Sequence, residues 1–242
     1  MGDLSESCFL VCIVLLRTPS TFWKIIQRKT QIGKTVLGLF LFILVSSACY
    51  GIVLAGWRSP RLSFYVAIKL PMLLLGTTSM VMVLNWILAT ILGSALTFKQ
   101  VMGLTYGAMG IACWLLLSLI PVTLLFTLGV ADYEGTNDQL RMTHNCLLLT
   151  HIFLIASAGI YGNLQLREGL RQTVVAECSV NQLYLAWIIA FGFVGCQLSW
   201  ILRPFVGSPF YPVAFLRPDC LERNFYEFVF LEVLPFVLRG GK

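Results

Sequence analysis

Five long stretches of apolar residues, at 35–57, 63–93, 101–130, 142–166 and 183–202, constrain this chain more than any other feature. A bilayer's hydrocarbon core takes about 20 apolar residues of helix per crossing. Backbone polar groups in lipid must be satisfied within the protein, which leaves the helix as the structure for such runs. Charged residues make up only 12% of the chain and hydrophobic residues 58%, with a mean hydropathy of +0.84. Soluble domains carry about 25% charge, and a water-facing surface cannot be built from half that. The sequence therefore predicts an all-α integral membrane protein. It has about five transmembrane helices, an N-terminal amphipathic helix and a C-terminal interfacial cap. Residues 1–34 form a membrane-surface segment, 35–203 the bundle, and 204–242 a proline- and aromatic-rich cap with a short interfacial helix.

The second and third stretches exceed a bilayer of about 30 Å at 1.5 Å per residue, so they tilt, kink or project. Pro71 and Pro121 are the candidate kinks, since proline removes a backbone donor and crowds the preceding turn. The net charge of +6 reads as topology information, and no basic patch interleaved with aromatics points to nucleic acid. Arg17, Lys24, Arg28, Lys29 and Lys34 precede the first span without an acid among them. Arg167 and Arg171 fall in the fourth connection, while Asp132, Glu134 and Asp138 fall in the third. This places the N-terminus in the cytoplasm and, with an odd number of spans, the C-terminus outside. Arg203, Arg217, Arg223, Arg239 and Lys242 oppose that assignment.

The apolar run 8–16 is too short to span, and Asp3 and Glu6 stand where a signal peptide needs positive charge. It reads as uncleaved and lying on the membrane. Residues 18–30 form an amphipathic element, with Thr18 as cap and Pro19 at the first helical position. Phe22, Trp23, Ile25 and Ile26 are expected to dip into the interface, and Lys24, Arg28 and Lys29 to meet headgroups.

Catalytic constellations are missing from the sequence. No span holds a carboxylate pair, and there is no HExxH, GxSxG, GxGxxG or GxxxxGK(S/T) pattern. The eight cysteines contain no CxxC; Cys49, Cys113, Cys146 and Cys196 lie in apolar runs as small hydrophobes. Cys178 and Cys220 are expected on opposite faces.

A few polar residues inside the spans are candidate sites. His144 and His151, the only two histidines, share one helix face about 10 Å apart along the axis. They are packing residues or, alternatively, single axial ligands for haem or a chlorophyll-type pigment. Lys69 is the one charge well embedded in an apolar run, explained by snorkelling or by a site. Asn85 and Gln197 lie deeper and either bond across helices or line a polar path. Small residues at spacing four (Gly103/Gly107, Ala158/Gly162, Ala186/Ala190, Gly192/Cys196, Gly195/Ser199) permit close helix approach. That approach serves packing within the bundle or self-association.

The stretch QLSWILRPFVGSPFYPVAFLRPDCLERNFYEFVF from Gln197 is the most distinctive. Pro204, Pro209, Pro212 and Pro218 stop the helix. Phe205, Phe210, Tyr211 and Phe215 make the loop apolar, so it should fold back on the outer ends of the spans. Trp200 and Arg203 suit an interface belt. Arg203, Arg217 and Asp219 bind a headgroup or a partner, or pair together. Asn224 and Glu227 have capping-box spacing.

SWILRPFVGSP, with FLR and NFYE after it, resembles a family of uncharacterised bacterial multi-span membrane proteins. LLRTPSTFWKII, IKLPMLLL and LGSALTFKQ are similar to the same family. The plan of a cytoplasmic N-terminal segment and about five spans also resembles Yip1-type proteins, which implies trafficking or membrane-organising partners. The resemblance implies a bacterial inner membrane and supplies no catalytic residue. Three functions are expected in order: a non-enzymatic scaffold, accessory subunit or membrane-organising factor; a small-solute or lipid transporter using Lys69, Asn85 and Gln197; a pigment- or haem-binding subunit using His144 or His151.

Overall fold

The computed structural model describes residues 15, 17–28, 32–129, 137–174, 178–203, 205–207, 212–217, 220–222 and 224–235. Its helices are α1 (Pro19–Gln27), α2 (Ile32–Ala55), α3 (Pro60–Ile91), α4 (Phe98–Ser118), α5 (Ile120–Leu128), α6 (Asn137–Thr173), α7 (Val180–Leu202) and α8 (Phe225–Phe228). A short π-helical stretch, Val229–Val233, follows α8. Among the described residues there is no strand. Five helices (α2, α3, α4, α6 and α7) are long and apolar enough to cross a membrane. The chain is an integral membrane protein whose exposed leucines, isoleucines and phenylalanines meet the lipid.

Local sequence explains the helix ends. Ser59 caps α3 by accepting the Leu62 N–H at 3.2 Å, ahead of Pro60 at the first helical position. Gln100 Oε1 accepts both the Thr97 N–H (3.1 Å) and the Thr97 hydroxyl (2.9 Å) at the start of α4. The two prolines behave differently. α3 runs through Pro71, whereas the third apolar stretch breaks at Leu119 and restarts as α5 with Pro121 in its first turn. α6 is longer than the apolar pattern shows. It carries Arg167 and Arg171 in its last turns, so these two are helical, not loop, residues.

α4 is the most enclosed span, and α7 the least. α2 packs on α3 and α4, α6 on α4, and α7 on α3. Two helix crossings depend on missing side chains. A Cβ on Gly51 of α2 would lie 2.7 Å from the Val66 carbonyl oxygen, and one on Gly162 of α6 would lie 2.8 Å from that of Ala108. The Ala158/Gly162 pair thus serves packing within the chain, while nothing lies within 4 Å of a Cβ on Gly192.

The amphipathic α1 forms as expected, but its apolar side faces protein. Phe22, Trp23 and Ile26 are buried. Ile26 meets Gly103, Phe22 and Trp23 meet Gly107, and Leu15 meets Gly110, so α1 lies along the first half of α4 in the opposite direction. Trp23 also lies on Gly169 of α6. The GxxxG groove of α4 is therefore filled by α1, which replaces the expected insertion of Phe22, Trp23 and Ile26 into headgroups. The Gln100 Nε2 donates to the Gln27 carbonyl at 3.4 Å and ties the end of α1 down. Thr18 makes no side-chain cap; its carbonyl accepts the Thr21 and Phe22 amides.

The described part of the C-terminal cap covers the bundle end farthest from the α1–α2 junction. Trp57 Nε1 donates to the Val206 carbonyl at 2.9 Å. Phe205, Val206 and Val213 join Tyr50, Leu54, Leu62 and Leu70 in one of two apolar clusters. Gly207 has φ +73°, a left-handed turn that seats the loop on Leu62. Pro204, Pro209, Phe210, Tyr211, Pro218 and Asp219 lie outside the described residues. α8 starts with the expected capping box, Asn224 Oδ1 accepting the Glu227 N–H at 2.8 Å. Cys178 and Cys220 flank α7 at its two ends, and both are free thiols.

Candidate functional site

The polar residues inside the spans separate into distinct environments. Lys69 is fully buried, and its Nζ lies 5.1 Å from the centroid of the Phe215 ring in the cap. It is covered by the cap instead of reaching water from a helix end. Phe215 is also edge-on to Tyr65 at 5.4 Å. Lys69 thus holds the cap loop to α3 by burial and cation–π contact.

Gln197 and Trp200 belong to the seam between α7 and α8. Gln197 Oε1 accepts the Phe225 N–H at 3.0 Å, the first helical amide of α8. Trp200 packs on Phe225 and Phe228 with centroids 6.2 and 4.8 Å away. The Arg203 guanidinium sits 3.4 Å from the Trp200 centroid. Tyr226 stacks on Phe193 at 4.7 Å and donates its hydroxyl to the Phe193 carbonyl. These contacts fold α8 back along the outer face of α7. Arg217 is half-buried in the cap.

The histidines form a ladder with Tyr50 of α2 and Trp57 in the turn that follows it. His151 Nδ1 lies 3.4 Å from the Tyr50 hydroxyl, with the rings edge-on. One rung farther, His144 packs on Trp57 with centroids 5.7 Å apart. Tyr50 and Trp57 repeat the seven-residue spacing of His144 and His151 on a stretch of chain running the other way. Thr123 of α5 adjoins the Tyr50 hydroxyl. His151 is 2% exposed and its Nε2 has no partner. The ring is enclosed by protein, with no open face for a macrocycle.

Asn85 sits elsewhere. On α3 it is 16 residues from Lys69, roughly 24 Å along the helix axis. The two are not neighbours, and Gln197 is engaged with α8, so Lys69, Asn85 and Gln197 do not converge. Asn85 instead lines an apolar cavity of about 140 Å³. α6 packs on α4 and α7 on α3, and the two touch each other less. The gap has Thr105, Ala108, Met109 and Ala112 of α4 as its floor, Ile155, Ala158, Gly159 and Gly162 on one wall, and Trp187 and Phe191 on the other.

Almost every polar group around the cavity has a partner. Trp187 Nε1 donates to the Asn85 carbonyl at 3.0 Å. Asn163 Nδ2 donates to the Gly159 carbonyl at 2.9 Å, and the Thr105 hydroxyl to the Val101 carbonyl at 2.8 Å. Asn85 Oδ1 is the exception: the residue is 2% exposed and this oxygen has no hydrogen-bond partner. A buried unsatisfied acceptor costs about 1–3 kcal/mol, and this one belongs to a residue that lines the cavity. Sequence reasoning picks out Asn85 as a polar residue in a span. It gives no sign of Trp187, Met109 or Phe191, which read as ordinary apolar span residues. Among the described residues no group of histidine, cysteine or acidic side chains is arranged to hold a metal. No known protein family, curated protein or solved structure matches the chain.

Proposed function

We propose that the protein is a non-enzymatic membrane component, a scaffold, accessory subunit or membrane-organising factor of the bacterial cytoplasmic membrane, with its N-terminus on the cytoplasmic side. One observation carries this reading: Lys69, Gln197, Trp200, Arg203 and the two histidines all make contacts that hold helices or the cap together. No set of them surrounds a shared reaction space. α7 supports a partner-facing role, since it is the least enclosed span and presents Leu185, Ile189 and Phe193 outward. Lys24, Arg28, Lys34 and Lys99 lie near the α1 end of the bundle, which supports the orientation through the excess of cations on cytoplasmic loops.

Native mass spectrometry of the protein released from its own membrane in a mild detergent tests the reading. A stoichiometric complex with itself or with other membrane proteins is expected. A strictly monomeric protein with no associated chain overturns it.

A further inference from the structure

We infer that the cavity beside Asn85 binds the hydroxyl end of a straight-chain lipid alcohol that enters from the bilayer between α6 and α7. The inference is independent of the partner role proposed above. The lining decides the class of ligand. It is almost wholly apolar, and none of its side chains is ionisable. A charged headgroup buried there would go unpaired, at high cost. The one unmet demand is the Asn85 Oδ1, buried and without a partner. A hydroxyl meets it as a donor, and meets the amide N–H as an acceptor if the amide is turned over.

Water is a poorer occupant. An ordered internal water needs two to four polar partners. Here the Trp187 indole N–H, the Thr105 hydroxyl and one N–H of Asn163 are already committed to backbone carbonyls. Size decides the shape of the ligand. About 140 Å³ is close to the roughly 150 Å³ apolar void that accepts a benzene. A fused ring system does not fit, but the head of a single chain does. The rest of the chain lies in the gap between the two splayed helices, against Ile155 and Phe191.

The test uses the full chain reconstituted in phosphatidylcholine vesicles, with diazirine-bearing hexadecanol as probe and diazirine-bearing hexadecane as its matched control. After photolysis, the labelled peptides are mapped by mass spectrometry. The alcohol should label the peptides holding Met109, Ile155 or Phe191 about tenfold more than the alkane, the scale of one hydrogen bond in an apolar site. Unlabelled hexadecanol should compete. Asn85→Leu should bring alcohol labelling down to the alkane level while leaving the melting temperature unchanged or raised, since it removes an orphan acceptor. Gly159→Leu fills the cavity from a position where a Cβ meets nothing within 4 Å, and should abolish labelling of these peptides in a stable protein. Equal labelling by alcohol and alkane overturns the inference. So does an alcohol preference that survives Asn85→Leu, or, where that variant fails to fold, one that survives Gly159→Leu. All readouts come from the isolated chain, so failure here leaves the partner proposal to its own test.

Discussion

Phe22 rests on the bare backbone of Gly107: a Cβ at that position would come within 2.6 Å of the Phe22 ring. The same position meets Trp23 at 3.0 Å, so α1 is seated on a surface that exists only because residue 107 has no side chain.

Gly107→Leu should therefore lower thermal stability in detergent by about 1–3 kcal/mol, the scale of overpacking a filled site. Phe22→Ala in the same chain should recover part of that loss, and a double-mutant cycle measures the coupling. Independent, additive effects would show that α1 does not sit in the Gly103/Gly107 groove.

The Tyr50–His151 contact makes a second prediction. Tyr50→Phe leaves a buried ring nitrogen without its partner and should destabilise by about 1 kcal/mol, within the range for polar contacts between membrane helices. Tyr50→Phe together with His151→Leu removes both polar groups and should be closer to neutral than His151→Leu alone. Thermal melts of the three variants decide it; a double variant that is the least stable contradicts the pairing.

The cap should behave as part of the folded core. Phe205 is half-buried against the cluster around Leu62 and Leu70, so Phe205→Ala should cost roughly 1–3 kcal/mol, below the full-burial range. Trp57→Phe removes the bond to the Val206 carbonyl and should cost about 1 kcal/mol. Unchanged melting temperatures in both would make this loop a separable binding surface.

The histidine ladder predicts a colourless protein. His151 is enclosed by protein, so its ring nitrogen has no space beside it for a macrocycle, and His144 is packed against Trp57. An absorption spectrum of protein purified from native membrane should show no visible band. A stoichiometric band lost in His151→Leu would restore the pigment-binding expectation.

How much of this was legible in the sequence depends on the length scale of each interaction. The five spans were legible because the bilayer imposes a demand on every residue of a long window. Asn224 and Glu227 were legible because a capping box is a local pattern; Thr97 and Gln100 have the same spacing and could have been found that way. The placement of Phe22 and Trp23 was not. An amphipathic helix satisfies its apolar side equally well on lipid or on protein, and only the distant Gly107 and Gly169 decide between them. The split fate of Lys69, Asn85 and Gln197 was hidden for a similar reason. Each is a single polar residue in an apolar run, and what it faces is set by the cap, by α7 or by α8. Residues that line the cavity, such as Met109 and Phe191, carry no polar signal at all.

The position of α1 has a consequence for biogenesis. Trp23 packs on Gly169 as well as on Gly107, so the seat for one of the first helices made is not complete until most of the chain has left the ribosome. At about 5–20 residues per second, the wait is on the order of ten seconds. During it α1 has no protein groove to fill, and its basic, apolar-sided sequence can rest at the headgroups. The same helix thus meets two environments in turn: the membrane surface while the chain is growing, and the cleft between α4 and α6 once the fourth span is in place.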